Sequence, residues 1–188
     1  MEITIASKRR KQEALAVQFP EAKIIDVTSK GILPWVKFSP FYPHGNIPVP
    51  FSPGVLAAPV EGIWQGLKVF EQADIDIAKF SNLTMKGIKR STRTNGRILG
   101  HRAGIAGQKL LAYREACYTI YLPAYKWVLD NYLLPETAEL REYAASQPVI
   151  LLDYETNADV ENLTSPLSHA ALIVRYIEGY WHDLPSKF

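Results

Sequence analysis

Residues 59–70 read Pro59-Val60-Glu61-Gly62-Ile63-Trp64-Gln65-Gly66-Leu67-Lys68-Val69-Phe70, and two stripes run through them. Val60, Ile63, Trp64, Leu67 and Phe70 recur at the spacing of one helical face. That pattern predicts a core-facing helix with Pro59 as its first residue, where a missing N–H costs nothing. Glu61, Gln65 and Lys68 fall at i, i+4 and i+7 on a second, polar face. A carboxylate in the first helical turn is favoured in its charged form by the helix dipole, which suits a ligand-orienting or base role. The competing reading is a solvated face whose acid precedes its base, an order that stabilises any exposed helix.

Upstream, the 29 residues from Gly31 to Pro59 hold Pro34, Pro40, Pro43, Pro48, Pro50, Pro53 and Pro59, with Gly45 and Gly54 as turn formers. Proline cannot donate to a central ladder, so this segment is expected to be an ordered loop or a set of edge turns. Its length exceeds that of an ordinary connection, and long ordered loops are more often functional. Within it, Phe38-Ser39-Pro40-Phe41-Tyr42-Pro43-His44 gathers rings that could stack a planar group while Ser39 or a backbone amide reads its edge. The same rings could equally pack onto the core.

Before this loop the chain reads strand, helix, strand: Ile3–Ile5, then a helix capped by Ser7 and running toward Phe19, then Lys23–Val27. Downstream, Met85 to Arg102 contains Lys86, Lys89, Arg90, Arg93, Arg97 and Arg102 without an Asp or Glu. Mixed with Gly, Ser and Thr, these residues predict a surface for a diphosphate or a nucleic-acid backbone. A helical stretch from Gln108 to about Tyr132 must kink or split at Pro123. Pro135 to Ser146 is a further expected helix. Val149–Leu152 is an apolar run of buried-strand type ending at Asp153, followed by Glu155 and Asp159. Carboxylates at the carboxyl end of a strand are well placed for catalysis. Ser165-Pro166 then reads as the cap and first turn of a last helix to Tyr176.

The 188 residues are 47% hydrophobic and 21% charged, which predicts one compact α/β domain over residues 1–188, α+β in leaning, with a small sheet surrounded by helices. A net charge of +2 supplies no long-range field toward nucleic acid or membrane. One cysteine, Cys117, and a start (MEITIASKRRKQ) without an apolar leader core fit a cytoplasmic chain, and no apolar run reaches the ~20 residues that span a bilayer. His44, His101, His169 and His182 lack the i, i+4 pairing of a helical metal site, so no metal and no cofactor are expected. Walker-type loops, dinucleotide-binding glycine fingerprints and nucleophile elbows are missing.

The order of these pieces carries a resemblance. F-S-x-F-Y-P at Phe38–Pro43, V-E-x-x-x-Q-x-x-K-x-F at Val60–Phe70, the basic G-R-x-L-G-H-R at Gly96–Arg102, an amphipathic helix, then a strand and a helix containing S-P-L-S-H-A-A-L-I-V-R follow one another from Phe38 to Arg175. This arrangement resembles the NADAR family, whose members carry F-S-N-F, V-E-H-x-x-Q-x-x-K-F, a Gly/Arg-rich turn and a final strand and helix. Gly62 stands where the family has His and Pro40 where it has Asn, and its Asp-x-x-Trp-Gly segment has no counterpart here. The resemblance implies an N-glycosidase acting on an ADP-ribosylated or ribosyl-phosphate-bearing amine, with Glu61 as the acidic active-site residue. Asp153 or Glu155 is the reserve for a second carboxylate. Phe38, Ser39, Phe41, Tyr42, Trp64, Gln65, Lys68, Arg93, Arg97, His101 and Arg102 form the candidate binding set for a nucleotide ligand with phosphate. The alternatives are a non-catalytic ADP-ribose-binding module and a nucleic-acid-binding protein using residues 86–102.

Overall fold

The computed structural model describes residues 2–181; the expected histidine His182 and the ends of the expected 1–188 domain lie outside them. The architecture is α+β, with short helices and three small sheets. Two compact units divide the chain: unit 1 comprises residues 2–39 with Leu133–Trp181, and unit 2 comprises Pro40–Tyr132.

Unit 1 is built on a parallel three-stranded sheet. Its strands are β1 (Ile3–Ser7), β2 (Lys23–Asp26) and β8 (Val149–Asp153), ordered β1-β8-β2. Every residue of β8 is buried, and Val149–Leu152 are all apolar, as suits a strand paired on both sides and covered on both faces; Asp153 at its end is a buried carboxylate. The ladder sets Ile5 against Leu151 and Ile25 against Leu151 from the other side. Helix α1 (Gln12–Gln18) sends Leu15 into a cluster with Ala6, Ile150 and Leu152. Each such fully buried aliphatic side chain stabilises the fold by about 1.5–3 kcal/mol. Ser7 is not the helix cap that its type suggested: it ends β1, and Lys11 precedes the helix without a side-chain cap. Helices α6 (Leu134–Ser146) and α7 (His169–Glu178) complete the unit. The last helix is capped by Ser168, which accepts from the Ala171 N–H, and not by Ser165.

Unit 2 holds a two-stranded antiparallel sheet, β3 (Ile47–Pro48) with β4 (Leu56–Ala57), and an antiparallel three-stranded one. The latter is ordered β5-β6-β7, from Lys68–Phe70, Ile98–Arg102 and Leu110–Leu111. Helix α2 (Val60–Gly66) opens after Pro59, which sits one residue outside it. The expected helix to Phe70 stops at Gly66 and the chain turns into β5. Val60, Ile63, Leu67 and Phe70 are nonetheless buried, since the apolar positions fall inward in both conformations.

The expected interruption at Pro123 lies one element earlier. Helix α4 (Tyr113–Ala116) passes through a π turn at Cys117–Tyr121 into α5 (Leu122–Tyr132), with Pro123 in the first turn of α5. Widening the turn just ahead of a residue with no N–H accommodates the proline without breaking the rod. Residues 108–112, expected as helix, contain strand β7 instead. The short helix α3 (Thr92–Asn95), capped by Ser91, completes this unit. Among the described residues no helix is long and apolar enough to cross a membrane.

Candidate functional site

Two glycines give α2 its place. A Cβ at Gly62 would stand 2.4 Å from the Lys79 carbonyl oxygen, and one at Gly66 would stand 2.4 Å from the Phe80 ring. The 3-10 segment Ile77–Ser81 therefore lies directly on a bare helix face, and Gly62 cannot be the histidine of the NADAR pattern because backbone occupies that space. With one face closed by this packing, the polar stripe is held in the interior.

Glu61, Gln65 and Lys68 are all more than nine-tenths buried. They form one chain: Gln65 Nε2 donates to Glu61 Oε1 at 2.8 Å, and Lys68 Nζ donates to Gln65 Oε1 at 3.2 Å. The Arg90 backbone N–H donates to the same Gln65 oxygen at 3.1 Å. Only this orientation of the amide satisfies a carboxylate on one side and two donors on the other, so the network itself assigns it. Lys68 reaches Gln65 from β5, not from a continued helix, which is why the i+7 spacing named the right residue for a different geometric reason. The Arg90 guanidinium is occupied by backbone, donating to the carbonyls of Gln65, Lys68 and Asp74. It thereby satisfies one carbonyl, that of Gln65, in the last turn of α2.

Burial lowers the Lys68 pKa below its ordinary value; Glu61 opposes this, and the positive charges of Lys89 and Arg90 add to it. His101 is its cross-strand partner in the β5–β6 ladder. Burial, with the Lys68 charge behind it, pushes the imidazole down to about 3, so it is neutral at pH 7. The ring stacks on Trp64 with centroids 3.8 Å apart, and Tyr113 and Tyr121 meet the same indole edge-on at 5.7 and 5.6 Å. Lys68 Nζ lies 5.9 Å from that indole. Beside this group opens a cavity of about 280 Å³ lined by Lys68, Ile98, Leu99, Gly100, His101 and Tyr113. A buried carboxylate, a bridging amide and a weakened amine thus end at a mostly apolar cavity, an arrangement suited to proton transfer on a small bound group.

The other expected residues fall in several places. Phe41 and Tyr42 belong to unit 2; the Lys89 ammonium lies 5.6 Å over the Phe41 ring, and the Glu61 N–H donates to the Pro40 carbonyl at 2.8 Å. Phe38 and Ser39 end the first segment of unit 1, both buried, with Phe38 stacked on Trp35. Phe38 is thus a core ring.

Two cations of the acid-free basic stretch are paired in three dimensions with acids from before it. Glu71 pairs with Arg97 at 3.2 Å and Asp74 pairs with Arg102. Arg93 is exposed, and its guanidinium has no partner among the described residues.

Asp153 lies in unit 1 at the end of β8, where its carboxylate joins that strand to α7. Oδ2 accepts from the Ser168 hydroxyl at 2.7 Å, His169 Nδ1 at 2.9 Å and the Ala170 N–H at 3.3 Å, while Oδ1 accepts from the Tyr154 N–H at 2.7 Å. Burial alone would raise its pKa, but the His169 charge and these donors overcome it and hold the carboxyl at about 2. His169 Nε2 is 2.9 Å from the Val27 carbonyl. A carbonyl only accepts and the carboxylate is ionised, so both ring nitrogens carry hydrogens.

Sequence reasoning missed the role of Arg90, the aromatic wall of Tyr113 and Tyr121, and the Ser168–His169 partners of Asp153. The glycine at 66 and the following Val-Phe signal a strand at Lys68–Phe70, but its pairing with His101 is set by the β5–β6 register. Among the described residues no group of His, Cys, Asp and Glu could hold a metal ion.

Fold and site together define an α+β protein with a buried acid–amide–amine chain at a small cavity. The chain belongs to a family of unknown function, DUF6939, matched over residues 7–173. No curated protein and no solved structure matches it.

Proposed function

We propose that this protein is a hydrolase that cleaves an N-glycosidic bond in an ADP-ribosylated or ribosyl-phosphate-bearing amine, working from Glu61 and Lys68. The observation that supports this reading is the buried chain Glu61–Gln65–Lys68, whose amine end lines the cavity. Cleavage of such a bond passes through an oxocarbenium-like transition state, which a fixed carboxylate stabilises. In this reaction water adds to the ribose C1′ as the C1′–N bond breaks. Glu61 takes the proton of the water, and the Lys68 ammonium gives one to the departing nitrogen; exchange with solvent returns both groups to their starting states. The lowered pKa brings Lys68 nearer the operating pH, as a general acid requires. Gln65 holds acid and amine apart and in register. Arg93, exposed and without a side-chain partner among the described residues, is the candidate for the ligand phosphates.

Purified protein incubated with ADP-ribosylated nucleobase and ribosyl-phosphate amine substrates tests this by chromatographic release of ADP-ribose or ribose phosphate. Glu61→Gln keeps the size and one oxygen to accept from Gln65, and is expected to lower turnover at least 10²-fold with the fold retained. Wild-type turnover in that variant would sink the assignment of Glu61. Binding of ADP-ribose without turnover by the wild type would replace the hydrolase with a binding module. The nucleic-acid reading loses support from the Arg97–Glu71 and Arg102–Asp74 pairs, which cancel charge that a phosphate backbone would need.

A further inference from the structure

Among the described residues neither ring nitrogen of the buried His101 has a hydrogen-bond partner, and both are shut from solvent. His101 as a whole is 1% exposed, yet it forms part of the cavity wall. An unpaired buried polar atom costs about 1–3 kcal/mol, and native interiors carry few of them. The surrounding charges define what could relieve this. Glu61 and Lys68 cancel one another, the Arg90 guanidinium is taken up by three carbonyls, and the imidazole is neutral. To meet an anion as an imidazolium at pH 7, His101 would have to be protonated four pH units above its value of about 3. At about 280 Å³ the cavity lies just below the ~300–1,000 Å³ range usual for ligand sites, with space for one substituted ring and not for a dinucleotide.

We infer that the cavity beside Lys68 receives an uncharged ring with its own hydrogen-bonding edge, a sugar or a nucleobase, that His101 binds that edge, and that the phosphates stay outside. This rests on the reading of the cavity as the ligand site and says which end of the ligand enters it. Because the nitrogens are covered in the resting packing, binding brings one of them to the cavity wall through a side-chain shift. The gain is the hydrogen bond that the resting packing leaves unmade. Ile98 and Leu99, 43% and 46% exposed, flank the opening with apolar surface that suits the faces of a ring.

The test uses the full chain with three probes, methyl ribofuranoside, adenine and inorganic phosphate, followed by calorimetry and by the ¹⁵N resonances of the His101 ring. The first two probes distinguish a sugar from a base. At least one is expected to bind and to move the His101 nitrogen shifts, while phosphate leaves those shifts unmoved and does not displace the ring. His101→Gln, which keeps a neutral donor and acceptor, should hold affinity within about threefold. His101→Phe should lose about tenfold, the equivalent of 1.4 kcal/mol. Phosphate that moves the His101 shifts or displaces a bound ring, unmoved His101 shifts with a ring bound, or no binding of either ring would overturn the inference. The wild-type shifts decide the matter even if a variant fails to fold. A ring that binds through His101 in a protein without turnover would leave this inference standing and remove the hydrolase. Turnover whose KM is unchanged in His101→Phe would do the reverse.

Discussion

Replacing Asp153 by Asn removes the charge that joins β8 to α7 and leaves the His169 imidazolium buried opposite an amide. Breaking one side of a buried pair typically costs about 3–5 kcal/mol. The pH dependence gives a sharper figure. The Asp153 carboxyl falls from an ordinary 3.8 to about 2 in the folded protein, and each unit is worth about 1.4 kcal/mol. The depressed pKa therefore contributes about 2 kcal/mol of stability. Since the folded pKa is below the unfolded one, that contribution is complete above pH 3.8 and is lost as the pH falls through about 2. Urea unfolding of wild type and Asp153→Asn between pH 2 and 7, followed by circular dichroism, reads the difference directly, because other carboxylates cancel between the two proteins. Hydrogen exchange at Ile150–Leu152 locates the effect in unit 1. The stability gap should narrow by about 2 kcal/mol from pH 4 to 2. A gap independent of pH over that range would refute the clamp. An Asn variant as stable as wild type but inactive would instead make Asp153 catalytic.

Three further outcomes follow from the geometry. Gly62→Ala should lower stability by about 1–3 kcal/mol in thermal unfolding, despite the better helix propensity of alanine, because its Cβ would meet the Lys79 carbonyl; unchanged or raised stability would mean the 3-10 segment yields freely. Arg93→Glu should weaken ADP-ribose binding several-fold in calorimetry at low salt, and Lys11→Glu should not; equal losses would show only a general charge effect. With Lys68 as the acid, kcat/KM should fall as pH rises through its lowered pKa, and Lys68→Arg should move that basic limb upward. A basic limb unmoved in the Arg variant assigns it to another group.

The parts of the fold that could be read in sequence are those where one pattern has one outcome. The unbroken Val149–Leu152 run reads as a buried strand and forms the centre of the parallel sheet, since two-sided burial leaves no room for alternation. The stretch at Val60–Phe70 was less determinate. Leu67 and Phe70 face inward in a continued helix and in the observed turn and strand alike, so apolar spacing did not mark the boundary; Gly66 did. The polar stripe survived that change because Gln65 is long enough to reach both its neighbours. The anion surface did not survive intact: Glu71 and Asp74 lie outside the basic stretch in sequence and against it in space, a relation that only pairing of β5 with β6 creates. Nor could sequence show that His101 lies across from Lys68, which the same register decides.

The place of β8 has a consequence for the making of this protein. Strand β8, the last among the described residues, lies between the first two, which do not bond to each other, so during translation β1 and β2 emerge without their partner. At about 5–20 residues per second, they wait on the order of ten seconds before residues 149–153 are made. The strands of unit 2 meet all their partners within one continuous stretch made during that wait. The ribosome therefore supplies the material for the segment carrying the cavity first, and the sheet that begins the chain is the last to be closed.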